Sequence, residues 1–121
     1  MEHPEILFAY AYGSFLEGGP FRDLDIALYI SDEFLPASSV LYEDKISQRI
    51  AQDLNAPFPV DVRIMNNGPI PFQYHVLQGN LLLDKAPKIR ILKIEYVLSR
   101  YLDIKPVLDH HLKEAYQDES R

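Results

Sequence analysis

Apolar positions fall along this chain in short runs, separated by clusters of glycine, proline and small polar residues. Glu5 to Tyr12 (EILFAYAY) is apolar and aromatic and ends at Gly13-Ser14, the pattern of a buried strand closed by a turn. Gly13 to Arg22, with Gly18-Gly19-Pro20, reads as a loop or short helical turn. Asp23 to Ile30 opens with two acids and turns apolar, a second strand. Turn and cap chemistry follows at Ser31-Asp32-Glu33 and Pro36-Ala37-Ser38-Ser39. Val40 to Leu54 then carries Leu41, Ile46, Ile50 and Leu54 at helical spacing, and Pro57 and Pro59 end it. Val60 to Met65 alternates. Asp61, Arg63 and Met65 take one face and Val60, Val62 and Ile64 the other, as in a half-buried third strand.

Asn66-Asn67-Gly68-Pro69 is a turn, Pro71 to Leu77 a short helix stopped near Gly79, and Leu81-Leu82-Leu83 a brief fourth strand. From Lys88 to Leu102 the spacing of Ile91, Ile94, Leu98 and Leu102 predicts a helix with those residues inward. Pro106 fits the first turn of a separate helix, with Val107, Leu108 and Leu112 inward, and the tail QDESR is expected to fray. The whole reads as one α/β domain: a small mixed sheet with helices packed mainly on one face. Its core runs from about residue 5 to 84 and its C-terminal helices from about 88 to 117.

Composition narrows the setting. With 121 residues there is material for one domain, and with no cysteine there are neither disulfides nor thiolate metal sites. No apolar run approaches the ~20 residues that span a bilayer, and MEHPE is not a signal peptide, so the expected location is cytoplasmic. A net charge of −6 argues against general nucleic-acid binding; it suits solubility or a basic protein partner.

The chemistry concentrates around Gly13-Ser14 and Asp23-Leu24-Asp25. In a strand, residues two apart share a face with Cα atoms roughly 6.6 Å apart. Two carboxylates at that distance repel by roughly 2–3 kcal/mol at an effective dielectric of about 20. A divalent cation relieves that repulsion, and Mg²⁺ prefers one or two carboxylates together with substrate phosphates. If the third strand lies beside the second, Asp61 joins the pair. Three carboxylates then suit two-metal phosphoryl or nucleotidyl transfer. Gly13 lets the backbone approach a phosphate closely, and the Ser14 hydroxyl is a donor for it. Other features read more plainly. Arg63 shares Asp61's face and suits either phosphate or an ion pair; the tyrosines are core or interface filler; and adjacent His110 and His111 do not face one another on a helix.

The order strand, Gly-Ser, loop, Asp-x-Asp, helix, strand with a third Asp resembles the minimal nucleotidyltransferases of the DNA polymerase β superfamily, over Glu5 to about Met65. Tyr101-Leu102-Asp103-Ile104-Lys105-Pro106 resembles the C-terminal helices of members that pair with HEPN proteins as toxin–antitoxin systems. The resemblance implies that Gly13 and Ser14, with Arg22 beside them, hold the triphosphate of ATP. It implies that Asp23, Asp25 and Asp61 bind Mg²⁺, with Asp61 also helping to activate the acceptor. It implies AMP transfer to a tyrosine of a HEPN ribonuclease toxin, in a hetero-oligomer, as the antitoxin activity. Two alternatives stand beside it: an antitoxin that neutralises its partner by contact alone, and an enzyme that modifies a small molecule such as an aminoglycoside. Two positions depart from the family pattern. Glu17 stands where relatives carry arginine, and Arg22 stands where they carry serine before the first metal Asp. The helix that many relatives carry before the first strand is expected to be short or absent.

Overall fold

In the computed structural model of the chain, residues 3–13, 23–55 and 58–119 are described, with side chains as far as residue 114. Four strands, β1 (Ile6–Tyr12), β2 (Leu24–Ile30), β3 (Val60–Ile64) and β4 (Asn80–Asp84), form one sheet in the order β3-β2-β1-β4. β1 runs antiparallel to β2 and β4, whereas β2 and β3 are parallel, so the sheet is mixed as expected. Among the described residues three α-helices join the sheet: α1 (Ser39–Leu54), α2 (Ile70–Leu77) and α3 (Pro87–Glu119). Among the described residues no helix is long and apolar enough to cross a membrane.

Alternation along the strands sorts the core into two layers. Ile26, Leu28 and Ile30 of β2 join Val62 of β3 and Ile46 of α1 on one face of the sheet. Phe8, Tyr10 and Tyr12 of β1 join Ala27, Met65 and Val76 of α2 on the other. A register shift between Ile6 and Phe8 lets Ile6 and Ala9 both face the first layer. The first layer is covered by α1; α2 and the first half of α3 lie on the second. There Lys93 sits over the Tyr29 ring and Tyr74 stacks on Tyr101, ring centroids 3.7 Å apart.

The helix α1 starts at the Ser38 N-cap, whose hydroxyl accepts from Leu41 N–H, and ends at Asn55 in the left-handed conformation. Its inward residues are Tyr42, Ile46 and Ile50. The expected stripe through Leu41 and Leu54 is therefore corrected, since these are 72% and 57% exposed. The reason lies in the sheet edge that α1 serves. β3 is an edge strand, and its outward N–H groups need acceptors. Val62 N–H donates to Ser47 Oγ at 3.1 Å, and Ile64 N–H donates to Glu43 Oε2 at 2.7 Å. Turning Glu43 and Ser47 toward that edge rotates Leu41 and Leu54 outward. Removing the Glu43 acceptor strands a half-buried backbone donor. Glu43→Ala should thus lower the unfolding free energy by about 1–3 kcal/mol. Urea titration of the variant checks this; an unchanged midpoint would show that the edge does not depend on Glu43.

The C-terminal region departs most from expectation. α3 is one helix, and Pro106 lies inside it rather than at the start of a second. A proline mid-helix removes the hydrogen bond to the carbonyl four residues back, here that of Leu102. Leu102 itself is 63% exposed, on the solvent side of the helix. The inward face also differs. Val97 is fully buried, with Ile94 and Tyr101 half-buried around it, while Ile91, Leu98, Leu102, Val107 and Leu112 are exposed. Docking through Lys93, Val97 and Tyr101 sets this rotation, and an apolar repeat does not encode it. Gln117 to Glu119 of the tail continue the helix.

Candidate functional site

The acids come together because of how β2 pairs. Antiparallel pairing sets Asp25 opposite Tyr12 of β1, and parallel pairing sets it opposite Asp61 of β3. Register partners share a face, and neighbouring strands lie roughly 4.8 Å apart. Asp25 and Asp61 therefore stand side by side on the α2 face. Asp23, exposed and one residue before β2, completes the approach from outside. β3 lies beside β2, and Asp61 stands in register with Asp25.

Gly13 follows Tyr12 at the end of β1, with a positive φ of 86°. A Cβ built there would lie 2.5 Å from Asp25 Oδ2. Both the left-handed backbone and the packing on the carboxylate require glycine. Gly13 thus holds the strand end against the acid at the centre of the site. Ser14, Glu17 and Arg22 lie outside the described residues, as does the loop expected between Gly13 and Asp23.

The electrostatics follow from this crowding. Burial, and then the charges of Asp61 and Asp23, push the Asp25 carboxyl above the usual carboxylate range; Arg63 and His75 partly oppose them. The Tyr12 hydroxyl is pushed up to about 12, chiefly by burial and then by the charge of Asp25, and stays protonated. Arg63 Nε donates to Asp61 Oδ2 at 3.2 Å, and this bond and charge raise the guanidinium further. Of the two readings open for Arg63, the structure shows the ion pair. Among the described residues no three His, Cys, Asp or Glu side chains form a ready-made metal cluster.

Several residues at the site were not singled out for it in the sequence. Tyr12 faces Asp25 and packs edge-on against Phe72 and His75 of α2, with centroids 5.7 and 5.9 Å away. Its position just before Gly13 was the available signal. Glu43 reaches the site from α1 and, with Asp61, Arg63, Gly68 and Phe72, lines a cavity of about 450 Å³ beside the acids. Nothing in the α1 pattern distinguishes Glu43 from a solvated acid. His110 and His111 lie far along α3, where His110 pairs with Glu114 at 3.0 Å.

Comparison with known proteins agrees with this arrangement. The chain superposes on a mutant MntA–HpeT toxin–antitoxin crystal structure with a TM-score of 0.74. The pair is 20% identical over 95% of this chain and 89% of the other. A toxin–antitoxin structure with AMP-PNP gives a TM-score of 0.72 at 19% identity, covering 93% and 88%. A tri-AMPylated Shewanella oneidensis HEPN toxin in complex with its MNT antitoxin gives 0.69 at 18%, covering 93% and 85%. At these identities the likeness concerns the fold. No curated protein matches the sequence significantly. Residues 1–88, which carry the whole sheet and the acids, match the family described as Polymerase beta, Nucleotidyltransferase. The chain belongs to the polymerase β nucleotidyltransferase family.

Proposed function

We propose that this chain transfers AMP from ATP to a hydroxyl of a protein partner, a HEPN-type toxin, and thereby acts as its antitoxin. The observation that carries the reading is Asp25 in register with Asp61 and packed against Gly13. Two adjacent carboxylates, one held above its ordinary pKa by burial and then by its charged neighbours, suit Mg²⁺, which completes its shell with phosphate oxygens and needs no closed protein cage. Asp23, Asp25 and Asp61 are the residues to hold it, and when bound it supplies charge neutralisation at the phosphates.

In the reaction the acceptor hydroxyl oxygen attacks the α-phosphorus of ATP. A new P–O bond forms, the bond to the β-phosphate oxygen breaks, and pyrophosphate leaves with that electron pair. Asp61, at the sheet edge, takes the hydroxyl proton. Gly13, Ser14 and Arg22 are the residues to bind the triphosphate. Positioning and charge stabilisation carry such a reaction, with no covalent enzyme intermediate. A protein acceptor is favoured by α3, where Leu102, Val107 and Leu112 are 57–67% exposed on a helix running beyond the core. Solved structures of the same fold include toxin–antitoxin pairs, one with an AMPylated toxin.

The second reading, an antitoxin acting by contact alone, draws on the same exposed helix and on Glu17 in the phosphate loop. Co-expression separates the two. Wild type and Asp61→Asn are each expressed with the proposed HEPN-domain partner. The transfer reading predicts that Asp61→Asn still binds the toxin and fails to relieve growth arrest. Equal relief by both would support neutralisation by contact.

A further inference from the structure

The site has a direction. Gly13 directly follows β1, Asp25 lies on β2 and Asp61 on β3, three adjacent strands, and β3 is an edge of the sheet. With the triphosphate on the Gly13 side, an in-line displacement brings the attacking oxygen from the opposite side, over Asp61. What lies beyond Asp61 is therefore positioned to serve the acceptor.

Beyond Asp61 lies the cavity of about 450 Å³ lined by Arg63 and Phe72. It shares Gly68 and Pro69 with a second cavity of about 530 Å³, which Asn66, Gln73, Lys93 and Tyr96 line. The two cavities adjoin at the Asn66–Pro69 turn and are described together as one groove. That turn is fixed: Asn66 Nδ2 donates to Ile30 O at 2.6 Å, and Ile30 N–H donates to Asn66 Oδ1 at 2.9 Å. From Asp61 to Asn66 is about 16 Å of extended backbone, the span of some five residues.

The far end of the groove offers polar groups with capacity to spare. Gln73 is 3% exposed, and its Nε2 donates to Gly68 O at 2.6 Å, while its buried Oε1 has no hydrogen-bond partner. An orphaned buried acceptor carries a desolvation cost that a ligand donor removes. Lys93 Nζ donates to Asn66 O at 3.1 Å and lies 5.6 Å from both the Tyr29 and Tyr96 ring centroids. An ammonium has three donors. Tyr96 stands 54% exposed at the rim, an aromatic plate facing solvent. Acids (Asp32, Glu43) and bases (Lys93, Arg63) both line the groove, so it is not an anion site.

An acceptor for donors, donors for acceptors and an aromatic rim, drawn out over the length of several residues, match extended polypeptide. Its amide N–H and C=O groups need both kinds of partner. We infer that the groove running from Asp61 over Gly68 and Pro69 to Lys93 and Tyr96 seats the extended segment of the protein acceptor that carries the modified hydroxyl. This rests on the transfer reading above and adds where the acceptor lies.

Tyr96→Ala and Lys93→Gln test it, the first at an exposed position where folding is not at stake. Initial rates of AMP transfer are measured against ATP and, separately, against the proposed HEPN-domain partner, alongside calorimetric binding of that protein without nucleotide. The expected result is a KM for the acceptor protein, and a Kd for it, raised about tenfold by Tyr96→Ala, with the KM for ATP unchanged. Unchanged acceptor KM and Kd would overturn the inference. So would a raised KM for ATP alone, which would make the groove a nucleotide site. If the wild type transfers nothing, the transfer reading fails by itself. The calorimetry then still decides whether the groove binds the protein.

Discussion

Asp25→Asn is expected to lower AMP transfer by about 10³-fold and at the same time to raise the melting temperature of the domain at neutral pH. The two effects have one cause. Burial, and then Asp61 and Asp23, hold the Asp25 carboxyl above its ordinary value in the folded chain. The folded state thus binds that proton more tightly than the unfolded state does, and ionising Asp25 costs stability. The cost sets in as pH rises from the ordinary carboxylate pKa through the raised one, and above that it is constant. Asparagine keeps the shape and removes the charge, so the cost disappears along with the chemistry. Thermal melts across that acidic window check the sign. The wild type should lose stability with rising pH relative to the variant, and the two curves should run parallel at neutral pH with the variant higher. Coincident melts at all pH values would mean that the site stores no such repulsion.

Gly13→Ala should fail in the other direction, losing both stability and transfer. The backbone there has a φ of 86°, where a Cβ costs about 1–2 kcal/mol. The added carbon also meets Asp25 Oδ2 at 2.5 Å, so the carboxylate or the strand end must move. A displacement of about 1 Å at reacting groups costs on the order of 10²-fold in rate. The expected outcome is a lowered melting temperature with transfer reduced about 10²-fold, read from the same melts and rate assays. Wild-type rates in a Gly13→Ala variant would remove Gly13 from the site. The contrast with Asp25→Asn is informative, because one variant loses activity through charge and the other through geometry.

Much of this was legible in the sequence because it follows from period-two alternation. Once VDVRIM is a strand, Asp61 must share a face with Arg63 and Met65, and Met65 indeed joins the layer beside Tyr12. Gly13 was legible as a special backbone position, although the specific neighbour, Asp25, depends on strand pairing. Tertiary partners decided what was not legible. The inward face of α1 follows from Glu43 and Ser47 reaching the open edge of β3, and that of α3 from Val97 and the Tyr74–Tyr101 stack. Pro106 misled because a proline signals a helix start on local grounds, whereas here an exposed face lets the helix continue through it. The groove beyond Asp61 joins residues from α1, β3, α2 and α3, and no local pattern announces such a convergence.

The most direct test of the central claim is the intact mass of the proposed HEPN-domain partner after incubation with ATP, Mg²⁺ and this chain. The account predicts a gain of one or more AMP units with the wild type and none with Asp25→Asn. No gain with the wild type, while a stable complex forms, would contradict it and leave this chain as a partner that acts by binding alone.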